Sequence, residues 1–217
     1  MNASTPMDFV SLKDILTILP MAAMILIAMI PLLMKPLLGN RELRPFTVLT
    51  YNFLGLITAA GLTAALFGPS FGGKATAFSG AIVMDGITVS MSYLVYLVTA
   101  VSLMLAYDHV ATKGRQFTEF AFLMMSSAFG MLILIMSNDL IVTFIGIETM
   151  SLCLYILVAM SKEQILSKEA AFKYFVLGSF ASAIMLYGVA LVYGTVGTTY
   201  YGDIAIAVTK MITTNRV

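Results

Sequence analysis

Residues Asn138–Met160 read NDLIVTFIGIETMSLCLYILVAM, an apolar run of membrane-spanning length with a single carboxylate, Glu148, near its middle. From Leu140, Glu148 lies roughly 12 Å along a helix rising about 1.5 Å per residue, close to the midplane of a hydrocarbon core about 30 Å thick. An acid at that depth costs about 2.5–3.5 kcal/mol on insertion scales, so it points to ion or proton handling and to a partner. The plainer reading is a glutamate kept protonated to hydrogen-bond two helices together. Gly146, Thr149 and Ser151 beside it are small or polar and leave room for another helix or for water. Burial raises a carboxyl pKa and a nearby cation lowers it, and a group balanced between the two suits a proton relay.

The rest of the chain fits that setting. Of 217 residues, 60% are hydrophobic and 11% charged, against about 45–50% and about 25% in soluble domains, so the chain is an integral membrane protein. The net charge of +1 gives no reason to expect a nucleic-acid partner. The one cysteine, Cys153, lies in an apolar run and reads as a packing residue, and the one histidine, His109, reads as a solvated loop residue. Neither a disulfide framework nor a metal cluster is expected. The first residues, MNASTPMDFVSLKD, have no basic segment before the apolar run, so no cleaved signal peptide is expected.

Six spans are expected, at about 15–38, 46–67, 87–107, 117–136, 140–160 and 170–195, in one all-α membrane domain over residues 1–217. Pro20 and Pro31 interrupt the first, with a kink expected near Pro31. GPSFGG breaks the chain after the second span, and TAFSGAIVMDG alternates weakly enough to form a short strand or hairpin at the membrane surface before the third. Ser137–Asp139 leaves room only for a tight turn, making spans four and five an antiparallel hairpin. The tail from Tyr200, too short and polar to span, is expected to be a surface helix.

Lys35, Arg41 and Arg44, then Lys113 and Arg115, then Lys162 and Lys168 fall in loops on one side, while the other side has only Lys13 and Lys74 before the tail. The positive-inside rule puts the basic loops in the cytoplasm and the N-terminus outside. Lys173 is a second candidate site residue. Its position near the end of span six suits a snorkelling lysine, and Glu169 is placed for an i,i+4 pair worth about 0.2–0.5 kcal/mol. Glu119 and Asp139 are expected at the interfaces, as weaker candidates for proton entry or exit. Gly178 and Ser182, four apart, read as a small-residue packing face rather than as chemistry. No P-loop, dinucleotide fingerprint, CxxC or HExxH occurs, so no motif here holds a nicotinamide, flavin, haem or iron–sulfur cluster.

The Asn138–Met160 run, followed by EAAFKYFVLGSFASAIMLYGVALVYGTVGTT, closely resembles subunit N of bacterial complex I, the proton-pumping NADH–quinone oxidoreductase. The likeness is strong over Glu119–Thr199 and looser before it. It favours subunit N over the related subunits L and M and over Mrp-type cation/proton antiporter subunits. The resemblance implies a membrane-arm subunit of an inner-membrane respiratory complex that moves protons, while NADH, flavin, iron–sulfur clusters and quinone are handled by other subunits. It places the family's fifth-helix glutamate on Glu148 and a functional sixth-helix lysine on Lys173. The lysine thought to pair with that glutamate belongs to a seventh helix, expected beyond Val217 in a fold of about fourteen helices with two inverted repeats. The alternatives are a cation/proton antiporter subunit and a non-catalytic membrane scaffold.

Overall fold

The computed structural model describes residues 11–37, 43–68, 74–111, 116–160 and 164–214. The elements are α1 (Leu12–Leu37), α2 (Pro45–Phe67), a hairpin of β1 (Ala75–Ala77) and β2 (Ile82–Met84), α3 (Gly86–Ala111), α4 (Phe117–Met136), α5 (Leu140–Ala159), α6 (Ile165–Val196) and α7 (Tyr201–Thr214). Among the described residues, α1 to α6 are long and apolar enough to cross a membrane. With the shortest at 20 residues, each covers about 30 Å. The expected spans, hairpin and tail helix are present.

Boundaries differ in two places that matter for the charges. Helix α3 runs on to Ala111, so His109 belongs to a helical turn and not to a loop. Helix α6 begins at Ile165, which puts Lys168 inside the helix and Lys173 two turns in rather than one. Helix α1 is continuous through Pro20, Pro31 and Pro36. Arg41, Lys113, Arg115 and Lys162, used above to judge orientation, lie outside the described residues.

Helices α1 to α4 form a bundle with α4 in contact with the other three. The reason is legible along α4: Phe117, Ala121, Met125, Ala128, Leu132 and Met136 recur every three or four residues and are all buried, forming one stripe. They meet Met24 and Ala28 of α1, Leu56 and Ala59 of α2, and Tyr96 and Leu103 of α3 in a single cluster. Helix α5 packs on α4, and α6 on α5, so the last hairpin projects from the bundle as an arm. Only 6% of the most apolar window of α6 is buried inside the chain, against 39% for α4. Most of α6 therefore faces lipid or other protein.

Two glycines bring α4 and α5 together. A Cβ on Gly130 would lie 2.6 Å from the Met150 nitrogen, and one on Gly146 would lie 2.8 Å from the Leu134 nitrogen. The two backbones touch where side chains would normally separate them.

One end of the bundle is stitched by short extended segments. β1 and β2 pair antiparallel, Ala75 opposite Met84. Their turn holds Phe78, Ser79 and Gly80 at positive φ. It is held from both sides, by the Phe78 amide donating to Asp14 Oδ1 at 2.7 Å and by Asn138 Nδ2 donating to the Gly80 carbonyl at 2.9 Å. The α4–α5 turn is bracketed by backbone bonds. The Asn138 amide donates to Ala81, the Leu140 amide to Thr199 and the Tyr201 amide to Asn138. Asp139, in the turn at the end of the spans, is buried within the protein. Its Oδ1 caps α5 by accepting from Ile141 and Val142, and its Oδ2 accepts from Thr199 Oγ1 at 2.5 Å.

Asp85 caps α3 in the same way, accepting from the Thr88 amide and hydroxyl, each at 2.8 Å. Those two bonds, with a smaller contribution from the Lys74 charge, hold its carboxyl below the ordinary 3.8. A depressed carboxyl stabilises the fold above the unfolded value, and that stabilisation is lost as pH falls through the lower folded value. Melting temperature should therefore drop on acidification below about pH 4. Asp85→Ala should remove a cap worth about 1 kcal/mol, near 3 °C in a chain of this size, and flatten that acid limb. An unchanged acid limb in thermal melts of the variant would exclude Asp85 as its source.

Candidate functional site

The site is built outward from the Gly130–Gly146 contact. Each helical residue turns about 100°, so Glu148, two residues beyond Gly146, points about 200° away from α4. That direction is occupied by α6. Glu148 is half-buried there, and the Ser182 hydroxyl of α6 donates to its Oε1. Tyr155, seven residues further along α5, falls on the same face. Its ring meets Tyr174 and Phe175 of α6 edge-on, with centroids 4.7 and 5.8 Å apart. Gly178 makes this possible, because a Cβ there would collide with the Tyr155 hydroxyl.

The small-residue stripe of α6 is therefore divided in use. Gly178 is for packing, as expected, but Ser182 is the glutamate's hydrogen-bond partner, which corrects its reading as packing alone. One signal in the sequence could have found it. Ser182 lies in the helix that follows α5 after a short connection and so can run antiparallel beside it, at a register matching mid-depth. Neighbouring Ser179 donates to the Phe175 carbonyl of its own helix, and so does Thr149 of α5 to Ile145. Those hydroxyls are satisfied locally, and Ser182 is the one that reaches across.

Lys173 is not brought to Glu148. Nine residues of α6 separate it from Ser182, about 13 Å along the axis. Its Nζ lies 2.5 Å from Glu169 Oε1 in the expected i,i+4 pair, with side chains 67% and 53% exposed, so the pair adds little stability. Glu119 is tied more firmly than expected. It pairs with Lys35 at 2.5 Å across α4 and α1, with side-chain exposures of 28% and 15%. Glu119 Oε2 is buried with no hydrogen-bond donor. Cys153 is buried in packing. No group of three or more His, Cys, Asp or Glu side chains suited to a metal occurs among the described residues.

A carboxylate at mid-membrane with one hydroxyl donor, on a face shared with an aromatic cluster, can hold and release a proton. Among the described residues Glu148 forms no ion pair, and the Lys173 ammonium is paired with Glu169 instead.

Comparisons with known proteins bear on this geometry. Residues 137–217, which carry α5, α6 and α7, match the family described as the transmembrane region of the NADH:quinone oxidoreductase/Mrp antiporter proteins. NADH-quinone oxidoreductase subunit N of Bdellovibrio bacteriovorus is 46% identical over 190 residues, covering 88% of this chain and 38% of that protein. The chain belongs to the subunit N family. A second subunit N, from Herpetosiphon aurantiacus, is 36% identical over 87% of this chain and 37% of its own length. The chain thus spans less than two fifths of these relatives. Among solved structures, a chain of respiratory complex I from Thermus thermophilus superposes with a TM-score of 0.64 at 28% identity, over 84% of this chain and 38% of that one. A chain of an archaeal membrane-bound sulfane sulfur reductase superposes at 0.62 with 21% identity over 89% of this chain and 39% of that chain, a likeness of fold alone. The six membrane helices found among the described residues, with their α4–α5 and α5–α6 contacts, make a multi-pass membrane fold that covers part of the subunit N length, and the motif-bearing helices are those that the family match covers.

Proposed function

We propose that this chain is part of the membrane arm of a proton-translocating NADH–quinone oxidoreductase and that Glu148 is its proton-relay carboxylate. The observation that carries the reading is Glu148 itself, held at mid-membrane on α5 by the Ser182 hydroxyl, in a chain 46% identical to a subunit N. Its partners are other membrane-arm subunits and the lipid bilayer of a bacterial inner membrane. NADH, flavin, iron–sulfur clusters and quinone belong to other subunits of the complex, since no motif in this sequence would hold them. The end of the bundle that carries Lys35 and Arg44 faces the cytoplasm, and the hairpin end faces outside.

Lys173 is the second relay group in this reading, near the cytoplasmic end of α6 and in proton exchange with Glu169, its 2.5 Å neighbour. Exchange between Lys173 and Glu148 runs through intervening water or side chains, since Lys173 and the Ser182 partner of Glu148 stand about 13 Å apart along α6. The identity to subunit N favours this over an antiporter subunit, although the family description embraces both.

The test is Glu148→Gln in the assembled complex, reconstituted in vesicles, with proton uptake counted per NADH oxidised. A fall in that ratio with normal assembly on a native gel is expected. An unchanged ratio overturns the role of Glu148, and lost assembly with normal pumping per complex would make it a structural residue.

A further inference from the structure

At the hairpin end, a cavity of about 440 Å³ opens between the first turn of α1, the last turn of α2 and β1. Its volume is within the range of ligand pockets, about 300–1,000 Å³. Lys13 and Lys74 line it together with Leu16, Leu66, Phe67 and Thr76. These lysines are 61 positions apart in the chain, and they are the two cations at this end before the tail. The positive-inside rule describes a bias that empties this end of lysine, yet the two that remain converge on one cavity. Neither forms an ion pair among the described residues. The acids nearby are committed elsewhere: Asp14 accepts from the Ser11 and Phe78 amides, and Asp85 from Thr88 while feeling the Lys74 charge.

The walls divide by chemistry. Leu16, Leu66 and Phe67 belong to spans that begin or end at the headgroup level, and they continue into hydrocarbon. Lys13, Lys74 and Thr76 are exposed and offer ammonium and hydroxyl donors to an anion. A free phosphate would leave the apolar wall unused, and an apolar ligand would leave two ammonium groups unmatched. A molecule with an anionic head and a hydrocarbon tail fits both halves.

We propose that this cavity binds an anionic phospholipid, with its phosphate between Lys13 and Lys74 and its chain against Leu16, Leu66 and Phe67. The inference is independent of the role of Glu148. The lipid would brace the helix pair α1–α2 where the hairpin joins it.

The test uses the whole complex containing this chain, in nanodiscs of phosphatidylcholine with or without phosphatidylglycerol. Wild-type complex and a Lys13→Gln/Lys74→Gln variant are compared by thermal melting and by phospholipid retained in native mass spectrometry. The wild type should melt higher in the anionic discs and retain phosphatidylglycerol. The variant should lose that gain, with retention at this site weakened about fivefold per lysine, as expected from about 1 kcal/mol for each basic residue near an anionic surface. Lys13→Arg/Lys74→Arg should keep it, which separates loss of charge from loss of folding. Glycerol phosphate added to phosphatidylcholine discs should not reproduce the gain. If it does, the ligand is a soluble anion and the lipid is overturned. Equal behaviour of wild type and the glutamine variant overturns the site. A glutamine variant that sheds a neighbouring subunit, with no lipid effect, overturns it in favour of an acidic protein partner.

Discussion

Gly146→Leu is expected to abolish the folded subunit, and Gly146→Ala to weaken it severely. The cause is the position of the first added atom. A Cβ at Gly146 would sit 2.8 Å from the Leu134 nitrogen and 3.1 Å from the Gly130 carbonyl oxygen, and both are backbone atoms that no rotamer change can move. Relief requires α4 and α5 to separate along the contact, which costs more than the 1–3 kcal/mol typical of overpacking a deformable core. Gly130→Ala should behave alike, because its Cβ would meet the Met150 nitrogen at 2.6 Å. Gly188 in α6 has nothing within 4 Å of its Cβ position and provides the contrast. There, alanine should be neutral or slightly stabilising, by up to about 1 kcal/mol of helix propensity. Thermal melts and native-gel assembly of the three alanine variants decide the matter. Gly146→Ala melting with Gly188→Ala would refute the close contact.

The second large effect is on activity, and it depends on separating charge from hydrogen bonding at one position. Glu148→Gln keeps the size of the side chain and an oxygen that can accept from Ser182, so the α5–α6 contact should survive. What is lost is the ability to bind and release a proton, and with it most pumping through this subunit. Ser182→Ala has the opposite profile. The carboxyl remains but loses its donor, and hydrogen bonds to charged groups contribute about 1.5–3 kcal/mol. The serine variant should therefore pump at a reduced rate, because the carboxylate is less well held in place, whereas the glutamine variant should lose most pumping. Ser182→Thr, which retains the hydroxyl, should restore the wild-type rate. If the alanine variant pumps like wild type, the serine is only a packing residue.

The spans and the hairpin could be read directly because membrane helices announce themselves by run length, and Gly and Asp-rich breaks by composition. Glu148 was equally legible, since its cost in hydrocarbon does not depend on its neighbours. Its partner was not. Whether the Ser182 hydroxyl bonds its own helix or crosses to another depends on the rotation of α6 about its axis, and a helix apolar on nearly every side leaves that angle unmarked. Lys173 with Glu169 is a local pair and so followed from spacing alone. The burial of Asp139 was not legible for the reverse reason. That burial comes from Thr198–Tyr201, sixty residues away, folding back over the α4–α5 turn. The extents of α3 and α6 exceeded expectation because both helices carry polar turns out of the apolar zone, where hydropathy ends before hydrogen bonding does.

The seam that joins the hairpin, the α4–α5 turn and the start of α7 makes one end of the arm a fulcrum. Backbone bonds at Asn138, Leu140 and Tyr201 pin α5 and α6 there, while at their opposite ends a single side-chain bond, from Ser167 Oγ to the Val158 carbonyl, joins them among the described residues. Slow hydrogen exchange at the Leu140 and Tyr201 amides, relative to the far ends, is the signature of such a hinge. Because the Gly130–Gly146 contact holds α5 on α4, the lever is α6, on which Ser182 rides about 21 Å from Val196, so a swing of about 3° moves its hydroxyl by about 1 Å. The tolerance of a hydrogen bond is about half that distance. A tilt too small to alter the outline of the molecule is enough to take Glu148 on and off Ser182.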